Sequence, residues 1–321
     1  MHWRGSRLET ELTKLLRIEY PIIQGAMAYI SESTLAGAVA NAGGTGVIGS
    51  GGRGADWVRR EIRKTKEITD KPFGVNVMLK DPESDSIVAA VCEEKVAFVT
   101  LGAGNPAPYF EALKEAGILI FPVVPSVRLA RRVEESGADG VIVEGMESGG
   151  HIGSISTMAL LTNIIPQVGI PVIAAGGIAD GRGIAAALLM GAAGVQMGSR
   201  FLLTDECQVH PNVKDRILEA TDTDTDATGY STGIVVRGLR NSFTKQFLEL
   251  ERTGASADVL NALAAGRNRL SAIEGDTDNG SVQVGQSLNA LTEIECVQML
   301  IRELMDETVA SIQQANELLG S

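Results

Sequence analysis

The sequence predicts an α/β protein: a (β/α)8 TIM barrel with a smaller, mainly helical excursion after its eighth strand. Three observations lead there. Eight short apolar runs recur along the first part of the chain, at 21–27, 44–50, 72–79, 96–104, 119–126, 140–147, 171–178 and 194–200. The runs are continuous and not alternating, as expected of strands buried on both faces of a parallel sheet. Their starts fall roughly 21 to 31 residues apart, the span of one strand–helix unit, and eight such units close a barrel.

The segments between the runs read as helices. Residues 55–69 set Trp57, Val58 and Ile62 among Arg, Lys and Glu, an amphipathic pattern. Residues 126–137 open on Ser126, a good N-cap, and close on Gly137. Residues 157–168 and 180–192 behave alike. Gly44-Thr-Gly-Val-Ile-Gly49 matches the dinucleotide fingerprint GxGxxG, but its context is wrong. The fingerprint follows a strand and opens a helix, whereas here a helical stretch at 31–43 precedes it and the motif itself is the apolar strand.

After Arg200 the beat stops. The barrel accordingly spans 1–203, and residues 204–270 are polar and helical in pattern, a small lid or insert. Residues 271–321 return to the barrel, with an amphipathic stretch at 291–319 as the closing helix. Asp222-Thr-Asp-Thr-Asp226 has Ala227 and Gly233 where a calcium loop needs glycine and glutamate, so it reads as a polar loop.

Composition narrows the function. With 44% hydrophobic and 21% charged residues, the chain is an ordinary globular protein with length enough for a large core. A net charge of −12 argues against nucleic acid, whose binding needs Lys and Arg against phosphates. Cys92, Cys207 and Cys296 are scattered, without the spacing of a zinc site or a disulfide framework. The first ten residues carry charges where a secretory signal needs an apolar core, and the apolar stretch at 183–198 reads as helix then strand, not a membrane span. The expected location is the cytoplasm.

A barrel of this kind works at the C-terminal ends of its strands. Those ends carry Gln24 to Met27, Asn76, 100–104, Glu144 to His151, 175–178 and Gln196 to Arg200. The turns at Gly176-Gly177 and Gly198-Ser199 follow the seventh and eighth strands, where barrels hold phosphate through backbone N–H groups and a helix N-terminus. No histidine pair or carboxylate cluster has metal-ligand spacing, so no metal is expected. Lys80 reads as a solvated turn lysine. His151, at the end of the sixth strand beside Gly149-Gly150, is the acid–base candidate. Glycines, amide groups and a phosphate grip suit a planar phosphorylated cofactor such as flavin mononucleotide, which carries the difficult chemistry itself.

These segments resemble the flavin-dependent enoyl-acyl-carrier-protein reductase II family and its relatives, the nitronate monooxygenases (2-nitropropane dioxygenases). The resemblance covers nearly the whole chain. It rests on Tyr20-Pro-Ile-Ile-Gln-Gly-Ala-Met27, Lys71-Pro-Phe-Gly-Val-Asn76, Gly102-Ala-Gly-Asn-Pro106, Glu144 to Gly153, Ala174 to Arg182, Gln196 to Phe201 and Gly275 to Gln286. Pro122-Val-Val-Pro-Ser126, Met146 to Gly153 and that last segment favour the reductase, as does Ile152 where the monooxygenases frequently have arginine. Ala26 replaces the usual glycine, a methyl group that could slightly reshape the ring pocket.

The resemblance implies FMN as cofactor. Gly25, Ala26 and Met27 would face its ring, Asn76 and Glu144 would hold ring or ribityl groups, and Gly149 and Gly150 would lie against it. Gly176, Gly177, Gly198 and Ser199 would hold the phosphate, with Gln196 nearby. The implied reaction is reduction of trans-2-enoyl thioesters on acyl carrier protein in the last step of fatty-acid elongation, with NADH or NADPH as cosubstrate and His151 serving the proton or the thioester carbonyl. A nitronate monooxygenase and a non-catalytic flavin-binding protein are the alternatives. An acidic carrier protein needs a basic landing patch, for which Arg237, Arg240 and Lys245, or Arg128, Arg131 and Arg132, are the candidates. A homodimer and a monovalent cation also fit the resemblance; no nucleic acid or membrane partner is expected.

Overall fold

Eight parallel strands close on themselves in the computed structural model, which describes residues 8–319. Residues 1–7 of the charged N-terminal stretch lie outside the described residues. The strands are β1 (Ile22–Gln24), β2 (Thr45–Gly49), β3 (Gly74–Met78), β4 (Phe98–Gly102), β5 (Leu119–Val124) and β6 (Val141–Glu144). After β7 (Gly150–His151), which stands outside the barrel, β8 (Val172–Ala175) and β9 (Gly194–Met197) complete it. Closure is made at Ile23, which pairs with Thr45 on one side and Gln196 on the other. Every apolar run holds its strand. The strands are shorter than the runs because the last residues of each run turn out of the ladder, and those turns build the mouth.

The interior is filled by Ile23, Val47, Phe98, Phe121, Ile142 and Ile173. Leu12 and Leu16, from helix Glu11–Leu16, join this cluster and plug the N-terminal end. Phe98 and Phe121 meet edge to face with ring centroids 5.6 Å apart, a favoured aromatic geometry. A Cβ on Gly74 would stand 2.5 Å from the Phe98 ring, so the strand must lack a side chain there.

The outer helices lie where the apolar spacing puts them. Helix Ala55–Ile68 buries Val58 and Ile62. Its Glu61 is buried too, accepting from the Ser33 N–H and hydroxyl at 3.1 and 2.6 Å, and so caps helix Ser33–Asn41, whose own N-cap makes no side-chain bond. Ser126 caps helix Val127–Glu135. The closing helix, Val297–Glu317, begins later than the pattern at 291 suggests. The reason is local: Glu295 bridges to Thr204, and its backbone bonds Leu203 and Asp205, which holds this segment extended.

The excursion carries helices Pro211–Leu218, Ser242–Arg252, Ala257–Ala264 and Arg267–Glu274. Phe243, Phe247 and Leu260 form a small core of their own there. It also contains two strands the sequence reading did not place, β10 (Thr225–Thr228) and β11 (Val236–Leu239). They form an antiparallel ribbon, and β11 then pairs with β7. The signal was the β-branched run Ile234-Val235-Val236 between Gly233 and Gly238.

Candidate functional site

All thirteen site residues named from the sequence line one cavity of about 740 Å³ at the C-terminal mouth of the barrel. That volume lies in the range of small-molecule sites. Gly25, Ala26 and Met27 form its floor at the end of β1. Buried Gln24 fixes this turn: its Nε2 donates to Ser31 Oγ at 2.9 Å and its Oε1 accepts from the Val47 N–H at 3.1 Å. Ser31 Oγ in turn accepts from the Met27 N–H at 2.9 Å. Tyr29 and Ala103, also in the wall, have left-handed φ of 67° and 57°. Such backbone is costly away from glycine and concentrates at functional sites.

Asn76, at the third position of β3, donates from Nδ2 to Thr100 Oγ1 at 2.9 Å and to the Thr100 carbonyl at 3.3 Å. A carbonyl can only accept, so these contacts fix the amide's orientation and leave Oδ1 as the free acceptor.

Only one of the two carboxylates at the end of β6 and in the turn after it is a cavity residue. Glu147 turns away and accepts from the Thr157 N–H with both oxygens at 3.0 Å, capping helix Thr157–Ile164. Glu144 lines the cavity. Loss of hydration pushes its carboxyl up to about 7, and the neighbouring Ser148 hydroxyl, which makes no well-formed hydrogen bond, offsets only part of that rise.

His151 belongs to β7, where it pairs with Val236 of β11. Its side chain is open to the cavity. The enclosing walls and the Lys80 ammonium both disfavour the imidazolium, holding its pKa below the ordinary histidine value. Lys80 is exposed, as read, but it lines the same cavity, a role that reading missed. The excursion and the returning chain add Asn268, Gln283 and Ser287 to the wall.

At the far side, Gly176 and Gly177 take φ of +93° and +75°. Ser287 Oγ donates to the Gly177 carbonyl at 2.7 Å, and Ser199 Oγ accepts from the Gly285 N–H at 2.9 Å. The helix N-terminus expected to assist a phosphate here is taken. Asp180 accepts from the Gly183 N–H at 2.8 Å and Glu307 from the Gly181 N–H at 2.7 Å, so two carboxylates occupy the end of helix Gly181–Leu189. A Cβ on Gly198, by contrast, would meet nothing nearer than Met27 Sδ at 4.0 Å. The backbone at Gly198 therefore faces open cavity.

Two arginines near the site are structural. Arg200 is buried against Glu295. Arg237, one of the landing-patch candidates, is only 6% exposed. It cannot greet a partner; its role is internal. Among the described residues no group of three or more His, Cys, Asp or Glu could hold a metal ion, and no helix is long and apolar enough to cross a membrane.

Comparison with known proteins gives a consistent set of likenesses. The sequence model of the family described as nitronate monooxygenase matches residues 9–89 and 84–307. FabK from Thermotoga maritima is 45% identical, with a TM-score of 0.94 over 97% of this chain and 99% of that one. A (3aS,4S,5R,7aS)-5-hydroxy-7a-methyl-1-oxo-octahydro-1H-indene-4-carboxyl-CoA dehydrogenase of Mycobacterium tuberculosis is 34% identical, covering 98% of this chain and 99% of its own length. A probable nitronate monooxygenase of Staphylococcus saprophyticus is 31% identical over the same shares.

Proposed function

The chain belongs to the nitronate monooxygenase family of oxidoreductases, and from that premise we propose that it is an FMN-dependent enoyl-thioester reductase acting on chains held by acyl carrier protein. The observation that carries this reading is the 45% identity with FabK across 97% of the chain. The Mycobacterium relative, named for a CoA thioester, supports a thioester substrate. Three free cysteines without a disulfide support a reducing, cytoplasmic setting.

The cavity fits the cofactor. Gly198 presents bare backbone to open space, Asn76 Oδ1 is a free acceptor, and the Ser148 hydroxyl is buried without a well-formed partner. Gly25 to Met27 and Gly149-Gly150 would lie against the ring, Asn76 would accept from a ring N–H, and Gly198 with Ser199 would hold the phosphate. Bound FMN supplies the two-electron relay between NADH or NADPH and the alkene.

The protein's own groups do the rest. With its pKa depressed, the His151 imidazole is neutral near pH 7 and offers one ring N–H to polarise the thioester carbonyl. Glu144, its carboxyl pushed up to about 7, is protonated in a share of the molecules at neutral pH and can supply that proton for protonation at the α-carbon. Met27, Met78, Val123 and Ile178 give the acyl chain an apolar wall. Arg128, Arg131 and Arg132 are exposed on the helix that begins just after cavity residue Pro125, a basic face suited to the acidic carrier protein.

One cavity serving both substrates in turn gives ping-pong kinetics. Anaerobic mixing of NADH-reduced enzyme with crotonyl thioester tests the reading: reoxidation of the flavin is expected, and its absence would overturn it. The family match and the Staphylococcus relative favour a second reading, nitronate oxidation with oxygen as acceptor. In that case alkyl nitronates would reduce the flavin and the thioester would leave it reduced.

A further inference from the structure

His151 is not carried by the barrel. Its two-residue strand β7 pairs with β11 of the excursion, through His151 opposite Val236 and Gly150 opposite Arg237. The Ile152 N–H extends the ladder to the Val235 carbonyl at 3.0 Å. The imidazole therefore takes its position from a strand, β11, that follows it by more than eighty residues.

Arg237 closes this arrangement into a brace. Its side chain folds back beneath the loop that precedes His151. Nε–H donates to the Met146 carbonyl at 3.1 Å and Nη1–H to Thr225 Oγ1 of β10 at 3.1 Å. One residue thus grips the loop at both ends, at Met146 by its guanidinium and at Gly150 by its place in the ladder. It does so as a buried cation without a salt bridge among the described residues. Burial lowers its pKa against the weak opposing pull of Tyr230, Glu147 and Asp226. Stability alone is poorly served by such a group, because an unpaired buried charge costs more than an apolar side chain of the same size. The planar fork supplies two bonds in fixed directions.

We propose that Arg237 is the positioning residue for His151, bracing the loop at residues 146–150 so that the imidazole stands in the cavity opposite Lys80. The proposal rests on the reading of His151 as the group that polarises the thioester carbonyl. A displacement of about 1 Å in a reacting group can cost 100-fold in rate.

The test is a double-mutant cycle in the FMN-loaded enzyme, using NADH and crotonyl thioester, with Arg237→Met and His151→Ala. Arg237→Met should lower kcat at least tenfold with the flavin still bound and KM changed little. In the His151→Ala background the same change should cost less than twofold. Equal fold-losses in both backgrounds would overturn the proposal. Thr225→Val, which removes one of the two acceptors, should give a smaller loss with the same coupling, and it serves if Arg237→Met does not fold.

A second readout needs no substrate. The chain has three histidines, so the His151 imidazole can be assigned by NMR through its loss in His151→Ala. The titratable groups lining the cavity with it are Tyr29, Lys80, Asp81 and Glu144. Once the brace is cut, the imidazole moves away from Lys80 and regains hydration, so its titration rises towards the ordinary value. An unchanged titration would overturn the brace, whichever substrate the enzyme takes. Failure of crotonyl thioester to reoxidise wild-type flavin would instead overturn only the reductase reading.

Discussion

Gly149 and Val284 are packed backbone to backbone: a Cβ on Gly149 would stand 2.6 Å from the Val284 carbonyl carbon. The returning chain thus presses directly on the loop that carries the glycine pair. It is held there by the Gln286 N–H, which donates to the Glu147 carbonyl at 2.9 Å, and by Gly285 on Ser199.

Gly149→Ala must therefore push two backbones apart. The expected cost is about 1–3 kcal/mol of stability, typical of forced overpacking. Thermal unfolding of the apoprotein should show a lowered Tm, and the purified protein should retain less flavin.

Gly198→Ala separates cradle from scaffold. Its methyl group meets only Met27 Sδ, at 4.0 Å, so the apoprotein should unfold at the wild-type temperature. The methyl enters the space assigned to the cofactor, and FMN affinity measured by flavin fluorescence quenching should fall at least tenfold. Unaltered affinity would mean the phosphate lies elsewhere.

Glu144 makes the stability of the apoprotein depend on pH. The unfolded chain releases this proton near 4.5, and the folded chain holds it up to about 7. Between those values the folded state binds more protons, so stability falls as pH rises, and the loss is complete above about 7. Glu144→Gln removes this contribution. Its Tm should exceed that of the wild type by a few degrees at about pH 8 and converge on it at about pH 4. A constant difference across that range would show that the carboxyl titrates normally.

Arg200 and Glu295 tie the end of β9 to the returning chain, and both are nearly inaccessible to water, at 8% and 9% exposure. Arg200→Met leaves Glu295 buried and unpaired, with an expected loss of about 3–5 kcal/mol. The double variant with Glu295→Met should recover most of it, as read by urea unfolding.

The barrel was legible because each strand is a local event: apolar runs such as 119–126 declare themselves without reference to distant residues. Most of the cavity residues were legible for the same reason, since they lie in or just past the end of a barrel strand. What escaped was whatever depended on a partner far along the chain. Lys80 looked like a turn lysine because its nearness to His151 exists only after closure. Arg237 looked like surface charge because its acceptors, Met146 and Thr225, come from two other segments. The helix end at Gly181 looked free because Glu307, which occupies it, arrives from the last helix. The ribbon of β10 and β11 escaped because four-residue strands take their identity from the ladder they join.

The pairing of β7 with β11 makes the fold tolerant in one place and unforgiving in another. Side chains alternate across a strand, so deleting a single residue from the turn between β10 and β11, or adding one, threatens to slip the ladder by one position. Such a slip would turn Arg237 away from Met146 and release the loop that carries the imidazole, while leaving every barrel strand in its register. The reactive group and the cofactor cradle are thus separable parts, and the length of one surface hairpin decides whether they meet.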